Sequence, residues 1–168
     1  MPKIIKNLEN RLIEEARRQI EISGYSGMTM RSVAEACGVG VGTVYNYFSS
    51  KDELLANYML ADWSRCISDI NAVSIYSDTV QPVLRCIYDQ LCFYASQHQG
   101  ILRDKAAVNS FALTFGRYHS LLRQQLASPL IKFCHDEFMA EFIAESMLSW
   151  SMSGKDFDSI YSVIQRLF

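Results

Sequence analysis

The sequence predicts an all-α protein with an amino-terminal three-helix unit followed by a carboxy-terminal helical bundle. Apolar residues recur at helical spacing along most of the chain, and no stretch shows the alternation that indicates a β-strand. Glycine and proline supply only 8 and 3 of the 168 residues, below their average joint usage of about 12%, so a turn-rich β-sandwich is excluded. A hydrophobic fraction of 49% excludes a disordered chain.

The first three predicted helices follow one another closely in the sequence. One covers Leu8–Ser23, with apolar residues on one face and charges on the other. Gly24 ends it, because glycine takes the left-handed conformation without steric cost. A second helix covers about Met30–Cys37, with Thr29 as its N-cap, and a third covers Val41–Phe48. Two short helices joined by a glycine-containing turn form a helix-turn-helix.

A capping box opens the next helix. The Ser50 hydroxyl can accept from the amide of Glu53, while the glutamate reaches back to the serine amide. We expect this helix to run about twenty residues, to Ala72, or roughly 30 Å. Further helices are expected from about Val80 to Gln99, Ile101 to Ala112, Thr114 to Leu126, Leu130 to Met152 and Lys155 to Leu167. We place the domain boundary between segments 1–50 and 51–168.

Charge is distributed unevenly along the chain. Residues 1–51 contain seven Lys/Arg and five acidic residues, although the whole chain has a formal net charge of −2. A mildly basic head on an acidic body is compatible with an anionic partner at the head only.

Cysteine usage and hydropathy limit the other classes of partner. The five cysteines are odd in number and never form CxxC, which argues against a disulfide framework and a zinc site, so we expect buried thiols, no metal and no cofactor. No run of about 18 apolar residues and no signal peptide is present. We expect a cytoplasmic protein without a membrane partner.

The second short helix of the helix-turn-helix carries residues suited to a DNA groove. Gly42 allows close approach of the backbone, and Thr43 and Tyr45 can reach phosphates or base edges. Asn46, Tyr47 and Lys51 can bond flanking phosphates. Some residues also have a purely structural interpretation: Val44 and Phe48 are assigned to packing, Thr29 caps a helix in any case, and Lys51 is a solvated first-turn residue. Arg31, Thr43 and Tyr47 have no evident structural duty, which favours a functional role.

The segment from Met28 to Leu55, MTMRSVAEACGVGVGTVYNYFSSKDELL, resembles the tetracycline-repressor (TetR) family of bacterial regulators. The specific part is Gly-Thr-Val-Tyr-Asn-Tyr-Phe followed by Ser-Lys, and the resemblance covers about the first third of the chain. It implies a three-helix DNA-binding head, control of nearby genes, and a helical body that dimerises and often binds a small molecule.

The resemblance also assigns DNA contacts by position. These fall on Thr29, Arg31, Val41, Gly42, Thr43, Tyr45, Asn46, Tyr47 and Lys51. Two positions depart from the family pattern: Gly40 stands where a serine cap is usual, and Val41 where a lysine or another polar residue is usual. Valine cannot pair with phosphate but can touch a thymine methyl group.

The late helices predict a dimer interface. The long helix from Leu130 is apolar nearly all round near its end, and such a helix needs two partners. The predicted interface comprises Phe138, Met139, Phe142, Ile143, Met147, Trp150, Tyr161 and Ile164; the alternative is one thick monomeric core. A dimer predicts a near-palindromic operator, because recognition helices about 34 Å apart read two half-sites.

An aromatic-rich middle segment is a candidate effector pocket. Its members are Trp63, Cys66, Tyr88, Tyr94, Phe111, Phe115, Tyr118 and His119. Apolar pockets with few polar groups are typical of small-molecule sites, but aromatics at helical spacing are as often plain core.

We therefore predict a dimeric, DNA-binding repressor released by a small apolar ligand. The alternative is a protein-interaction adaptor that retains an unused helix-turn-helix. An enzyme is disfavoured, since the sequence lacks G-x-S-x-G, a phosphate-binding glycine loop and H-E-x-x-H, and its three histidines are scattered.

Overall fold

A computed structural model describes residues 7–102, 104 and 119–168 of the chain. Its regular elements are, in chain order, α1 (Leu8–Gly27), α2 (Met30–Cys37), α3 (Val41–Tyr47), α4 (Lys51–Tyr76), α5 (Val80–Gln97), α6 (Gln99–Leu102), α7 (residues 119–127), α8 (Glu137–Met152) and α9 (Phe157–Ile164), with 3₁₀ turns at Ser128–Phe133 and Gln165–Leu167. All regular structure in the described part is helical, as predicted.

The chain forms two compact units. The first contains the chain up to Asp62 and a segment that begins at His98, and the second contains Trp63–Gln97 and the carboxy-terminal residues. The domain boundary expected at residue 50 lies just before α4, whereas the two units divide within α4, after Asp62.

The ends of α1 and α2 follow the sequence signals. Gly24 interrupts α1 with φ of 71°. One further helical turn follows the interruption and ends at Gly27. Thr29 caps α2: its Oγ1 accepts from the Ser32 amide at 3.0 Å, and the Ser32 hydroxyl accepts from the Thr29 amide at 3.1 Å. Gly38, with φ of 71°, ends α2.

The next boundaries differ in detail from the expectation. Phe48 is extended, so α3 ends at Tyr47. The Ser50 hydroxyl accepts from the Glu53 amide at 3.1 Å, as predicted. The Glu53 carboxylate, however, accepts from the amide and hydroxyl of Ser49, at 2.6 and 2.5 Å. The expected end of α4 at Ala72 is too early, because α4 continues to Tyr76 and has 26 residues.

The first unit has an apolar core and a few hydrogen bonds between its helices. Leu12 of α1, Val33 of α2 and Val44 of α3 are fully buried. The Ser32 hydroxyl donates to Gln19 Oε1 at 2.6 Å, and Arg11 donates to the Cys37 carbonyl at 3.2 Å. These bonds join α1 to both ends of α2, so the two helices hold a fixed mutual orientation. The short α6 also packs against α1.

The second unit corrects the prediction of one long helix from Leu130. Ser128–Phe133 is a 3₁₀ turn, and Cys134 is extended, with φ of −99° and ψ of 155°. Asp136 then caps a new helix, α8, by accepting from the Met139 amide at 2.7 Å. The helix expected after Lys155 is shorter than predicted: Asp156 caps α9, which gives way to a 3₁₀ turn at Gln165.

Two other predicted helices are described only in part. Ile101 lies in α6, and residues 119–126 lie in α7; the remainder of the helices expected over Ile101–Ala112 and Thr114–Leu126 lies outside the described residues.

The core of the second unit forms where α5 packs against α8 and α9. The inward stripe of α5 is the one predicted, with Val83, Leu84, Ile87, Leu91 and Tyr94 buried. The Ser74 hydroxyl near the end of α4 donates to the Pro129 carbonyl at 2.8 Å. Within the described residues, no helix has the length and apolar character needed to cross a bilayer.

All five cysteines are free thiols. Cys37 and Cys66 are buried, as predicted, whereas Cys86, Cys92 and Cys134 are only half-buried. The expectation that the cysteines act as small core residues therefore holds for two of the five.

Candidate nucleic-acid interface

Two apolar side chains fix the orientation of α3. Val44 is fully buried and Phe48 is 1% exposed, whereas Tyr45 and Tyr47 are 53% and 44% exposed. The predicted packing roles of Val44 and Phe48 are confirmed. Tyr45 stands about 100° round the helix from Val44 and so turns away from the core. Tyr47, the last residue of α3, is only about 60° from Val44 but is also exposed.

An open cleft of about 440 Å³ lies beside α3. Its lining residues are Ser26, Met28, Thr29, Met30, Arg31, Val41, Tyr45 and Lys51. We call it the head cleft. It gathers residues from the end of α1, the start of α2, α3 and the start of α4, and five of the nine positions predicted to contact DNA line it.

The other four predicted positions lie along α3 away from the cleft lining. They are Gly42, Thr43, Asn46 and Tyr47. Gly42 and Asn46 each stand two positions from the buried Val44, or about 200° round the helix, so both face outward, and both are exposed. A Cβ atom placed on Gly42 would meet nothing within 4 Å. We call Gly42 and Asn46 the outer face of α3.

Lys51 has a structural partner that the sequence did not reveal. Its Nζ donates to the backbone carbonyl of Tyr25 and lies 3.9 Å from the centre of the Tyr25 ring. Burial lowers the pKa of Lys51. The interpretation of Lys51 as a solvated first-turn residue is therefore wrong, because its ammonium group joins the start of α4 to the end of α1.

Tyr25 and Asp52 complete this junction. The Tyr25 hydroxyl donates to Asp52 Oδ1 at 2.5 Å, and Tyr25 is itself buried. Sequence reasoning missed both residues. The available signal was an aromatic residue directly after Gly24, the glycine that interrupts α1 and turns the chain back towards the core.

The predicted effector residues occupy at least two separate environments. Trp63 of α4 and Tyr94 of α5 are buried and meet edge to face, with ring centres 5.4 Å apart. The Trp63 indole donates to Gln125 Oε1 of α7 at 2.7 Å, and Cys66 is buried one turn after Trp63. Tyr88 instead packs on Phe157 of α9, at 5.6 Å between ring centres.

The remaining predicted effector residues are His119, Phe111, Phe115 and Tyr118. His119 Nε2 lies 3.4 Å from Glu145 Oε1, and both side chains are partly exposed. Phe111, Phe115 and Tyr118 lie outside the described residues. Gln125 is the residue that the sequence analysis missed; as a lone amide in an apolar stretch, it carried no distinctive signal.

The predicted dimer residues divide into two groups. Ile143, Met147 and Ile164 are buried within the second unit, so their assignment to an interface is wrong. They lie on the side of α8 or α9 that packs on the unit's own core. Phe138, Phe142 and Trp150 are 76%, 53% and 55% exposed, while Met139 and Tyr161 are half-buried.

Three amino-terminal helices with an outward-facing α3, followed by further helices throughout the described residues, define a helix-turn-helix fold. The family model for bacterial regulatory proteins of the tetR family matches residues 12–58, which span α1, α2, α3 and the start of α4. The amino-terminal part of the chain therefore carries the DNA-binding segment typical of this family. The resemblance read from Met28–Leu55 is thereby confirmed.

Known proteins similar to this chain are regulators. An HTH-type transcriptional regulator of Mycobacterium tuberculosis is 31% identical over 88 residues, which are 49% of this chain and 38% of that protein. The HTH-type transcriptional repressor KstR of Rhodococcus jostii is 35% identical over 60 residues, 36% of this chain and 28% of KstR. The chain thus matches well under half the length of these relatives.

A solved structure has a fold similar to that of nearly the whole chain. FadR of Thermus thermophilus, a TetR-family repressor solved with lauroyl-CoA, superposes with a TM-score of 0.67 and 18% identity, covering 95% of this chain and 92% of FadR. At this identity the similarity establishes the all-helical fold alone. The matched family and these relatives consist of regulators, in agreement with the prediction that the chain is not an enzyme.

Proposed function

We propose that this chain is a cytoplasmic transcriptional repressor that binds a near-palindromic DNA operator as a homodimer. The observation that carries the proposal is the orientation of α3: Val44 and Phe48 are buried while Tyr45 and Tyr47 are exposed. Arg31 lines the cleft beside the same helix. This arrangement offers hydroxyls and an amide on the exposed sides of α3 and a cation in the adjoining head cleft.

The chemistry of that surface suits a polyanion read at close range. Backbone phosphates accept bonds from Arg, Lys, Ser, Thr and Tyr, whereas base edges supply sequence information. The sequence of α3, VGTVYNY, contains no charged residue, so α3 contributes hydroxyl and amide contacts. Arg31 and Lys51 are the cations lining the head cleft, and they supply attraction to phosphate there.

The exposed aromatic side chains of α8 support the homodimer. Phe138, Phe142 and Trp150 present a large apolar area on one helix, and exposed apolar patches of this kind mark interaction sites. A second copy offers the same residues, as an isologous interface requires. Two joined heads gain affinity through effective concentration without any new contact to DNA.

DNA binding is tested by electrophoretic mobility shift with the DNA upstream of the chain's own gene. We expect specific binding with a steep salt dependence, and Arg31→Ala is expected to reduce the salt slope by about 0.9 per head. Tyr47→Ala should weaken binding while leaving thermal unfolding nearly unchanged. Tyr76→Ala is the matched control, because Tyr76 is a highly exposed tyrosine near the end of α4 in the second unit.

The alternative function is a protein-interaction adaptor with an unused head. An adaptor would show neither sequence preference nor a salt slope in the same titration. That result would overturn the proposal, and equal weakening of binding by Tyr47→Ala and Tyr76→Ala would remove its assignment to α3.

We further propose that a small apolar ligand switches the repressor. The support is the aromatic cluster of Trp63 and Tyr94 with one amide, Gln125, bonded to the indole, together with the lauroyl-CoA bound by the FadR structure of similar fold. A ligand acts only if it favours one state of the protein over another.

The probes for this switch are lauroyl-CoA and free coenzyme A. At a hundredfold excess over its Kd, a ligand that binds the folded state stabilises it by about 2.7 kcal/mol. We expect lauroyl-CoA to raise the melting temperature and to release operator DNA, and coenzyme A to do neither. Unchanged melting with lauroyl-CoA would exclude an acyl-CoA effector.

A further inference from the structure

The outer face of α3 pairs a residue without a side chain with an exposed amide. Gly42 and Asn46 are four positions apart, so they are neighbours on one side of the helix. Both are exposed, and both stand opposite Val44, which is fully buried. They are therefore the part of α3 that projects furthest from the core of the first unit.

Where the outer face of α3 enters the major groove, the base edges lie next to Asn46. Space outward from Gly42 is open, since a Cβ atom there would have no neighbour within 4 Å. The missing side chain leaves room for a base pair to lie close to the helix, one turn before the amide. Thr43 and Tyr45 lie on either flank of this position, about 60° to 100° round the helix from Gly42 and Asn46.

Asparagine has the chemistry to read one particular base. Its side-chain amide carries a donor and an acceptor side by side, and the adenine edge in the major groove offers the N7 acceptor and the N6 donor. An amide contact to phosphate uses only the donor and carries no sequence information. Asn46 is the only Asn or Gln residue in α3.

We propose that Asn46 reads an adenine in each operator half-site by a bidentate contact in the major groove, and that Gly42 permits the close approach. This assignment replaces the contact to a flanking phosphate expected for Asn46 from the sequence. It rests on the proposed function, because it specifies how the same head recognises DNA.

The first experiment selects duplexes from a pool with 20 random base pairs, using wild-type protein and Asn46→Ala in parallel. The wild type is expected to enrich an adenine at one position of each half-site, and Asn46→Ala is expected to lose preference at that position alone. Asn71→Ala is the matched control, because Asn71 is an exposed asparagine on α4 in the second unit. It should select the wild-type sequence.

The second experiment replaces that adenine, in one half-site of the selected duplex, with 7-deazaadenine, which lacks the N7 acceptor. A good bidentate contact discriminates by roughly 5- to 150-fold, so we expect a loss of wild-type affinity towards the lower end of that range. Asn46→Ala should bind the two duplexes equally. A uniform loss across all sequences in Asn46→Ala, with base preferences retained, would identify a phosphate contact and overturn the proposal.

The Gly42→Ala variant distinguishes an effect on DNA binding from an effect on folding. Alanine fits the protein at this position and is the better helix former, by roughly 0.5–1 kcal/mol. The variant is expected to melt at a higher temperature than the wild type and to bind the selected duplex at least tenfold more weakly. Unchanged affinity would show that α3 does not approach the bases closely at Gly42.

The outcomes distinguish this proposal from the proposed function. Failure of the wild type to enrich any duplex would overturn the proposed function itself. Enrichment of a defined duplex without an Asn46-dependent adenine would leave DNA recognition intact and overturn only the role of Asn46.

Discussion

The two compact units present different chemistry at their surfaces. In the first, polar side chains hold the ends of helices, as in the Thr29–Ser32 capping box and the bond from Tyr25 to Asp52, and the side chains exposed on α3 carry hydroxyl or amide groups. In the second, α8 exposes Phe138 and Phe142. Tyrosine suits a hydrated partner because one end of it is polar, whereas phenylalanine gains only from burial. The comparison indicates a polar partner for the head and an apolar partner for α8.

The largest expected effect comes from breaking the apolar surface of the second unit. Phe142→Glu should convert the proposed homodimer to a monomer, because a charge in a buried interface is costly. A monomer has one head and loses the gain in affinity that comes from linking two heads. The affinity for the operator should therefore fall by about 10²- to 10⁴-fold. Sedimentation velocity measures the mass and a mobility shift measures the affinity.

Phe93→Glu provides the control for this change. Phe93 is an exposed phenylalanine on α5, so the same substitution there should leave mass and affinity unchanged. A dimer that persists in Phe142→Glu would contradict the assignment of the interface to this part of α8.

The next prediction distinguishes a side chain that packs in the core of the first unit from one that is available to contact DNA. Phe48→Ala should lower the free energy of unfolding by about 3–5 kcal/mol, as large-to-small substitutions of a buried phenylalanine do. Tyr47→Ala, at the adjacent exposed position, should change it by less than about 1 kcal/mol. Urea unfolding measures both variants, and comparable losses would mean that Tyr47 belongs to the core.

A smaller effect is expected from pH. His98 is buried, and burial lowers its pKa below the ordinary value of 6.5, opposed by Asp62 and assisted by Arg17. Between the lowered pKa and 6.5 the unfolded chain binds more protons than the folded one, so stability falls as the pH falls through this window. Above pH 6.5 the contribution of His98 is fully present. The loss amounts to about 1.4 kcal/mol for each unit by which the pKa is lowered.

Urea unfolding at pH 7.5 and 5.5 tests this effect. His98→Gln should show a smaller difference between the two pH values than the wild type, whereas His135→Gln, at an exposed position in the second unit, should match the wild type. Identical pH dependence in all three proteins would assign the effect to other groups.

The smallest effect concerns the start of α3. Gly40 is the N-cap, with φ of −70° and ψ of 146° and without a side-chain bond, and a Cβ there would meet nothing within 4 Å. Gly40→Ser should supply a capping hydroxyl and raise stability by a few tenths of a kcal/mol. Thermal melting measures it; a lower melting temperature would show that serine disturbs the turn.

The sequence was sufficient where local signals decide the structure. The all-helical class, the Thr29 cap of α2 and the left-handed Gly24 each follow from neighbouring residues alone. The burial of Val44 and Phe48 follows from helical spacing, and the resemblance to the TetR family followed from a contiguous motif.

One error overlooked a local signal, and the others arose where residues distant in the sequence decide the structure. The continuous helix expected from Leu130 ignored the ability of Asp136 to cap a new start. Ile143 and Met147 were assigned to an interface because hydrophobicity alone does not tell which side of a helix packs within its own subunit. The partner of Lys51, the carbonyl of Tyr25, lies 26 residues away, and no local pattern encodes that contact.

Gly38, Gly40 and Gly42 raise the entropic cost of ordering the turn and the start of α3. Glycine loses more backbone freedom on folding than any other residue, so α3 owes its existence to the anchoring of Val44 and Phe48 rather than to its own helix propensity. Transient opening is therefore expected to cost least in this segment. If α3 docks on DNA as proposed, we expect it to adjust its fit there, so that one head tolerates two half-sites that are not identical.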